Sequence, residues 1–190
     1  MPSSNDLGYA RPMALRAGTH DVGPENGTLR VNTYREGMAQ KIGHDLILDV
    51  GKWKATVEVG QDGTPTIGLE ADPRSLSVHE ALHGAKPLSD KDRADIVKGI
   101  DEKVLGGQPI TFQSSAVEHN GAQMSVDGEL MMAGSTKPAT FKLDVADDGR
   151  VSGTLPLTQS HWGIKPYKAL MGALKVRDEI EIVLDVPLPA

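Results

Sequence analysis

Cysteine is absent from the 190 residues, so disulfides, thiolate chemistry and Cys-ligated zinc are excluded. Aromatic residues make up only 4% of the chain. Any interior must therefore be built mainly from Val, Leu, Ile, Met and Ala. No stretch approaches the roughly 20 apolar residues of a membrane-spanning helix. The first 25 residues hold no apolar core of signal-peptide length; the most apolar piece, Met13-Ala14-Leu15, is broken by Arg11 and Arg16. These two absences predict a cytoplasmic protein with no membrane span. Cationic excess is lacking as well. The net charge is −6 and no Lys/Arg block stands out, which disfavours nucleic acid and anionic membrane surfaces as partners. No G-x-S-x-G, phosphate loop or dinucleotide fingerprint occurs, and Ser114 and Ser115 have no His/Asp partner at a recognisable spacing.

What is present describes a globular chain with a real core, 38% hydrophobic and 24% charged. Residues 1–25 read as a polar, flexible lead-in interrupted by Gly and Pro, and 26–190 as one folded domain. Period-two alternation dominates that domain. His44, Leu46, Leu48 and Val50 share one parity; Trp53, Ala55, Val57 and Val59 share the other. The change near Gly51 predicts a bend or bulge. Further strands are expected over 29–35, 66–71 with a continuation over 76–78, 110–117, 122–130, 139–145, 151–157 and 179–186. Turns at Gln61-Asp62-Gly63-Thr64, Asn120-Gly121, Gly134-Ser135-Thr136 and Asp147-Asp148-Gly149 separate several of them.

One helix interrupts the pattern. Ser89 is a good N-cap, Asp90 and Asp92 favour the helix dipole, and Ile96, Val97, Ile100 and Val104 recur at helical spacing before Gly106-Gly107. Its apolar stripe is expected to cover a barrel end or wall. Many strands with one polar face and one long excursion predict a mainly β protein, a single antiparallel barrel of about eight strands. Seven methionines suggest a soft lumen wall.

Ordered motifs carry a resemblance. They are Gly43-His44-Asp45, Ser75-Leu76-Ser77-Val78, Pro109 to Ser115, Val126-Asp127-Gly128-Glu129-Leu130, Gly134 to Pro138, and Gln159-Ser160-His161-Trp162-Gly163-Ile164-Lys165-Pro166-Tyr167. In this order they resemble the YceI-like family, lipocalin-like β-barrels. The run Pro87 to Arg93 and Lys165-Pro166-Tyr167 look like a subgroup variant. The resemblance implies a non-enzymatic binder of a polyisoprenoid-type lipid in the barrel lumen, with no cofactor. On that reading the lumen-lining residues are Val31, His44, Leu48, Leu69, Phe112, Met124, Val126, Leu130, Phe141, Leu143, Leu155 and Leu184, with Trp162 and Tyr167 gating or plugging a mouth. His44 either meets a ligand head or is a structural histidine satisfied by backbone.

Two other readings stand beside it. His79-Glu80-Ala81-Leu82-His83 matches H-E-x-x-H, in which two His on one helical face hold zinc and the Glu acts as base. Asp72 as cap, Pro73 and Gly84 would permit a helix there, and Glu102 is the candidate third ligand, but the alternating Leu76 and Val78 argue for a strand. His79 and His83 are thus weak metal candidates. The remaining reading is a packed barrel that acts through a protein partner, including a homodimer through a strand edge or the helix.

Overall fold

The structure, a computed structural model, describes residues 16–187. Its first arm is made of β1 (Gly18–Val22) and β2 (Thr28–Thr33). A short strand, β3 (Arg35–Glu36), leads away from the barrel. The next arm bends, β4 (Asp45–Val50) running into β5 (Trp53–Val59), and it returns as β6 (Pro65–Ala71) and β7 (Leu76–Leu82). Helix α1 (Asp90–Ile100) continues as one wide turn over Asp101–Leu105. A meander follows: β8 (Ile110–Asn120), β9 (Gln123–Met132), β10 (Ser135–Val145) and β11 (Arg150–Thr158). After β12 (Lys168–Ala169) and β13 (Leu174–Val176), which form a small second sheet with β3, the chain closes with β14 (Glu179–Pro187).

The main sheet has eleven strands in the order β1-β5-β6-β8-β9-β10-β11-β14-β2-β4-β7. One bent hairpin takes part in both its ends, with β1 added outside β5 at the first. β5 pairs with β6 at one end and β4 with β7 at the other, yet β4 continues directly into β5 and β6 reaches β7 through a single 3-10 turn. The two ends must therefore meet. Counting each bent pair as one arm gives the eight-stranded closed barrel that the alternation predicts. The bend falls at Gly51, where the inward parity changes. A Cβ there would lie 3.0 Å from the Ser75 carbonyl oxygen, so glycine lets the two bent arms touch.

One expectation changes. The lead-in over 1–25 contains β1, paired to β5 from Gly18↔Val59 to Val22↔Ala55. Its sequence, GTHDV, is short and mostly polar, so only the partner edge makes it a strand. Residues 1–15 lie outside the described residues. The H-E-x-x-H segment is on a strand as far as Leu82, as the alternating Leu76 and Val78 argue, and His83 follows it. Asp72 does cap a turn, accepting from the Arg74 amide at 2.9 Å, but that turn stops at Ser75. From Leu76 the chain pairs with β4, which satisfies a row of backbone groups that a helix would leave bare on the β4 edge.

The helix begins where the sequence places it. Ser89 and Asp92 form a reciprocal capping box, and Gly106 ends the segment at φ 63°. The Ser89 hydroxyl and amide, in that order of importance, hold the Asp92 carboxyl below the ordinary carboxylate range. A lowered folded value means that this support is complete above the ordinary range and is lost as pH falls through the lowered one. Hydrogen-exchange protection in the first turn of α1 is thus expected to weaken below about pH 4 while protection in β9 persists. Equal loss in both would place the weak point elsewhere.

Candidate functional site

The inward positions of the arms do not fill the barrel. They enclose a cavity of about 990 Å³, at the upper end of the range for small-molecule sites. Its wall is aliphatic. Leu48, Val50, Leu143, Leu157 and Ile180 are buried in it, whereas Val31, Leu69, Leu155, Ile182 and Leu184 face inward yet are only partly covered by protein. Inward apolar side chains left partly uncovered are the signature of an unfilled lumen. Helix α1 and its wide turn lie across one end, presenting Ile96, Ile100, Val104 and Leu105 to the cavity.

Of the expected lumen residues, Val31, His44, Leu48, Leu69, Phe112, Met124, Leu130, Phe141, Leu143, Leu155, Tyr167 and Leu184 border this space. Val126 and Trp162 do not. Val126 has the inward parity of Met124 and Leu130 but is wholly buried, 0% exposed. The rings of Phe112 and Phe141 pack 5.2 Å apart, Phe141 opposite Val126 and Phe112 over Gly128, and fill the lumen along that stretch. The indole of Trp162 donates to the Leu130 carbonyl at 3.0 Å and is buried, so it plugs the wall rather than gates a mouth. Tyr167, half exposed, stands at the rim. The methionine expectation also changes: Met124 and Met132 border the cavity, but Met38 and Met171 lie fully in solvent, and the wall is mainly Leu, Ile and Val.

His44 borders the rim and places Nε2 2.8 Å from the Lys86 carbonyl. A carbonyl only accepts, so that nitrogen carries the proton. Gly84, at φ 74°, makes room, since a Cβ there would fall 2.2 Å from the His44 ring. The histidine is thus satisfied by backbone and stands beside the ligand space. His79 and His83 lie on the outer wall instead. His79 Nδ1 is 2.8 Å from Asp49 and His83 Nε2 is 3.4 Å from Asp45. With a strand in place of a helix, they do not converge on one helical face. No cluster of three potential metal ligands occurs among the described residues. The zinc-hydrolase geometry is therefore not formed.

Sequence reading missed Gln159. It is buried, borders the cavity, and spends its Nε2 on the Arg177 carbonyl at 2.8 Å. That bond fixes which end of the amide is nitrogen. Its Oε1 takes part in no hydrogen bond among the described residues. A polar residue at the end of a strand carries no parity signal, and nothing local distinguishes it. The wall also thins between β10 and β11. These pair only at Asp144↔Ser152 and Val145↔Val151, and consecutive residues on both, Phe141 to Leu143 and Gly153 to Leu155, border the cavity.

An aliphatic lumen in a closed antiparallel barrel defines a lipocalin-like architecture of the ligand-binding kind. The family model described as YceI-like domain matches residues 105–188, from the end of the helical excursion through β14. The fold agrees. BcnA of Burkholderia cenocepacia superposes with a TM-score of 0.60 at 17% identity, covering 84% of this chain and 94% of its own. The YceI protein of Campylobacter jejuni does so with a TM-score of 0.53 at 11% identity, covering 73% and 81%. No curated protein matches the chain. No helix among the described residues is long and apolar enough to cross a membrane.

Proposed function

We propose that this protein binds an elongated apolar molecule, of the polyisoprenoid kind, inside the barrel and carries or sequesters it without catalysing a reaction. The observation that carries the reading is the aliphatic lumen of about 990 Å³ whose inward side chains remain partly uncovered. Burying a long hydrocarbon there gains about 25 cal/mol for each Å² removed from water. The resemblance to the YceI-like family supports the same ligand class. Native mass spectrometry, with organic extraction of the purified protein, tests it. A retained apolar molecule is the expected result; a lumen that takes up no isoprenoid probe overturns the proposal in favour of a protein-interaction role.

Gln159 narrows the chemistry of the head. Its Oε1 is an acceptor without a partner among the described residues, and an apolar guest that shuts water out of the lumen would favour a head that brings a donor. A prenol is expected to bind about fivefold more tightly than the hydrocarbon of equal length. Gln159→Leu should abolish that difference while retaining hydrocarbon binding. If wild-type protein does not discriminate the two, the head donor is withdrawn and the apolar reading stands.

A further inference from the structure

The chain is net negative, yet two segments beside the mouth reverse the sign. Residues 34–43 and 163–177 contain Arg35, Lys41, Lys165, Lys168, Lys175 and Arg177 against Glu36 alone. The four lysines form no ion pair among the described residues. Far apart in sequence, these segments meet because β13 pairs with both β3 and β12.

β13 separates two chemistries. Leu174 and Val176 border the lumen, so Lys175 between them points to the opposite face. Lys168 lies directly across from Lys175 and shares that face. Like charges opposed across a ladder repel, and Glu36, which stands opposite Lys175 on its other side, offsets only one of the two cations. An external anion would balance the cation that remains, together with Lys165 and Lys41 of the same two segments.

The same small sheet holds large apolar side chains in water. Met38 is 94%, Leu170 57% and Met171 107% exposed. Leu170 and Met171 are consecutive non-glycine residues in the left-handed region, at φ 49° and 56°. Backbone of that kind is strained, and here it secures no burial. The Ala39 amide bonds the Ala173 carbonyl at 2.8 Å and ties the Met38 turn to the β12–β13 tip.

We propose that this sheet is a docking surface for an anionic lipid bilayer, with Met38, Leu170 and Met171 entering the headgroup boundary and the surrounding lysines meeting acidic headgroups. Projecting turn tips with cationic flanks suit a soft interface, whereas a rigid protein partner needs a broad complementary patch of about 800 Å². Ile42 and Tyr167 carry the exposed apolar surface up to the cavity rim. Docking would thus set the mouth against the membrane, a consequence that rests on the lipid-binding reading; the docking itself does not.

Sedimentation of the ligand-free full chain with vesicles tests this. Vesicles of phosphatidylcholine with about one-third phosphatidylglycerol should bind the protein at least tenfold more strongly than phosphatidylcholine alone, and high salt should erase the difference. Lys165→Glu with Lys168→Glu should weaken binding by about 25-fold or more, since each lysine near an anionic surface is worth about fivefold. Met171→Ser should cost about tenfold, and Lys137→Glu, on an exposed position of β10, should change little. Circular dichroism confirms that the variants fold. Absent or lipid-independent binding overturns the proposal, as do variants that bind like wild type. A dimer in ultracentrifugation that Met171→Ser dissolves would assign the surface to a second copy of the chain instead. None of these results depends on whether the lumen takes up a probe.

Discussion

Leu155→Trp combined with Ile182→Trp is expected to reduce uptake of an isoprenoid probe by roughly 70-fold while the barrel still folds. The two residues are directly opposed across β11 and β14, border the cavity and are only partly covered, so space for larger side chains exists in front of them. Two indoles there displace about 100 Å² of ligand contact, or roughly 2.5 kcal/mol at about 25 cal/mol per Å². Fluorescence titration of the probe reads the loss, and thermal unfolding reads the fold. In a filled core the same pair would be overpacked, costing about 1–3 kcal/mol per site. A double variant that loses stability with unchanged probe affinity would show that the ligand sits elsewhere.

A buried charge separates packed wall from lumen. Val126→Asp is expected to prevent folding or to cost at least about 4 kcal/mol, because Val126 is fully enclosed and an unpaired carboxylate there has neither water nor partner. Leu184→Asp is expected to be milder, about 1–2 kcal/mol, because its side chain borders space that water can enter. That variant should nevertheless bind the probe poorly, since an apolar guest would strip the carboxylate of its water. Urea unfolding and probe titration measure the two effects. Equal destabilisation by both substitutions would mean that the lumen is dry and packed.

Much of the architecture is local and therefore legible in the residues. Alternation in Ile180, Ile182, Leu184 and Val186 marks an inward face, and all four border the cavity. The parity change at Gly51 marks the bend. Ser89, Asp92 and Gly106 mark the helix ends through their own side-chain and backbone preferences, which need no distant partner. The order of motifs was enough to point to the YceI-like family.

Other features required the assembled molecule. Helix signals around Asp72, Pro73 and Gly84 give way because β4 offers the segment a ladder, and a short local preference cannot outweigh a row of backbone hydrogen bonds. β1 exists only because the β5 edge is free to receive it. Gln159 gains its role from the carbonyl of Arg177, which lies on a different stretch of chain. The basic, apolar-tipped sheet appears only when β3 and β13 meet, so charge averaged along the chain hides it. An open lumen is likewise a tertiary property. The same alternating strands serve a filled barrel or a hollow one; closure of the ring, the splay of β10 from β11 and the spacing of arms across the interior decide between them. By itself the sequence determined which residues turn inward and where the arms bend, because those follow from two-residue periodicity; only the tertiary structure decided that the inward residues fail to meet.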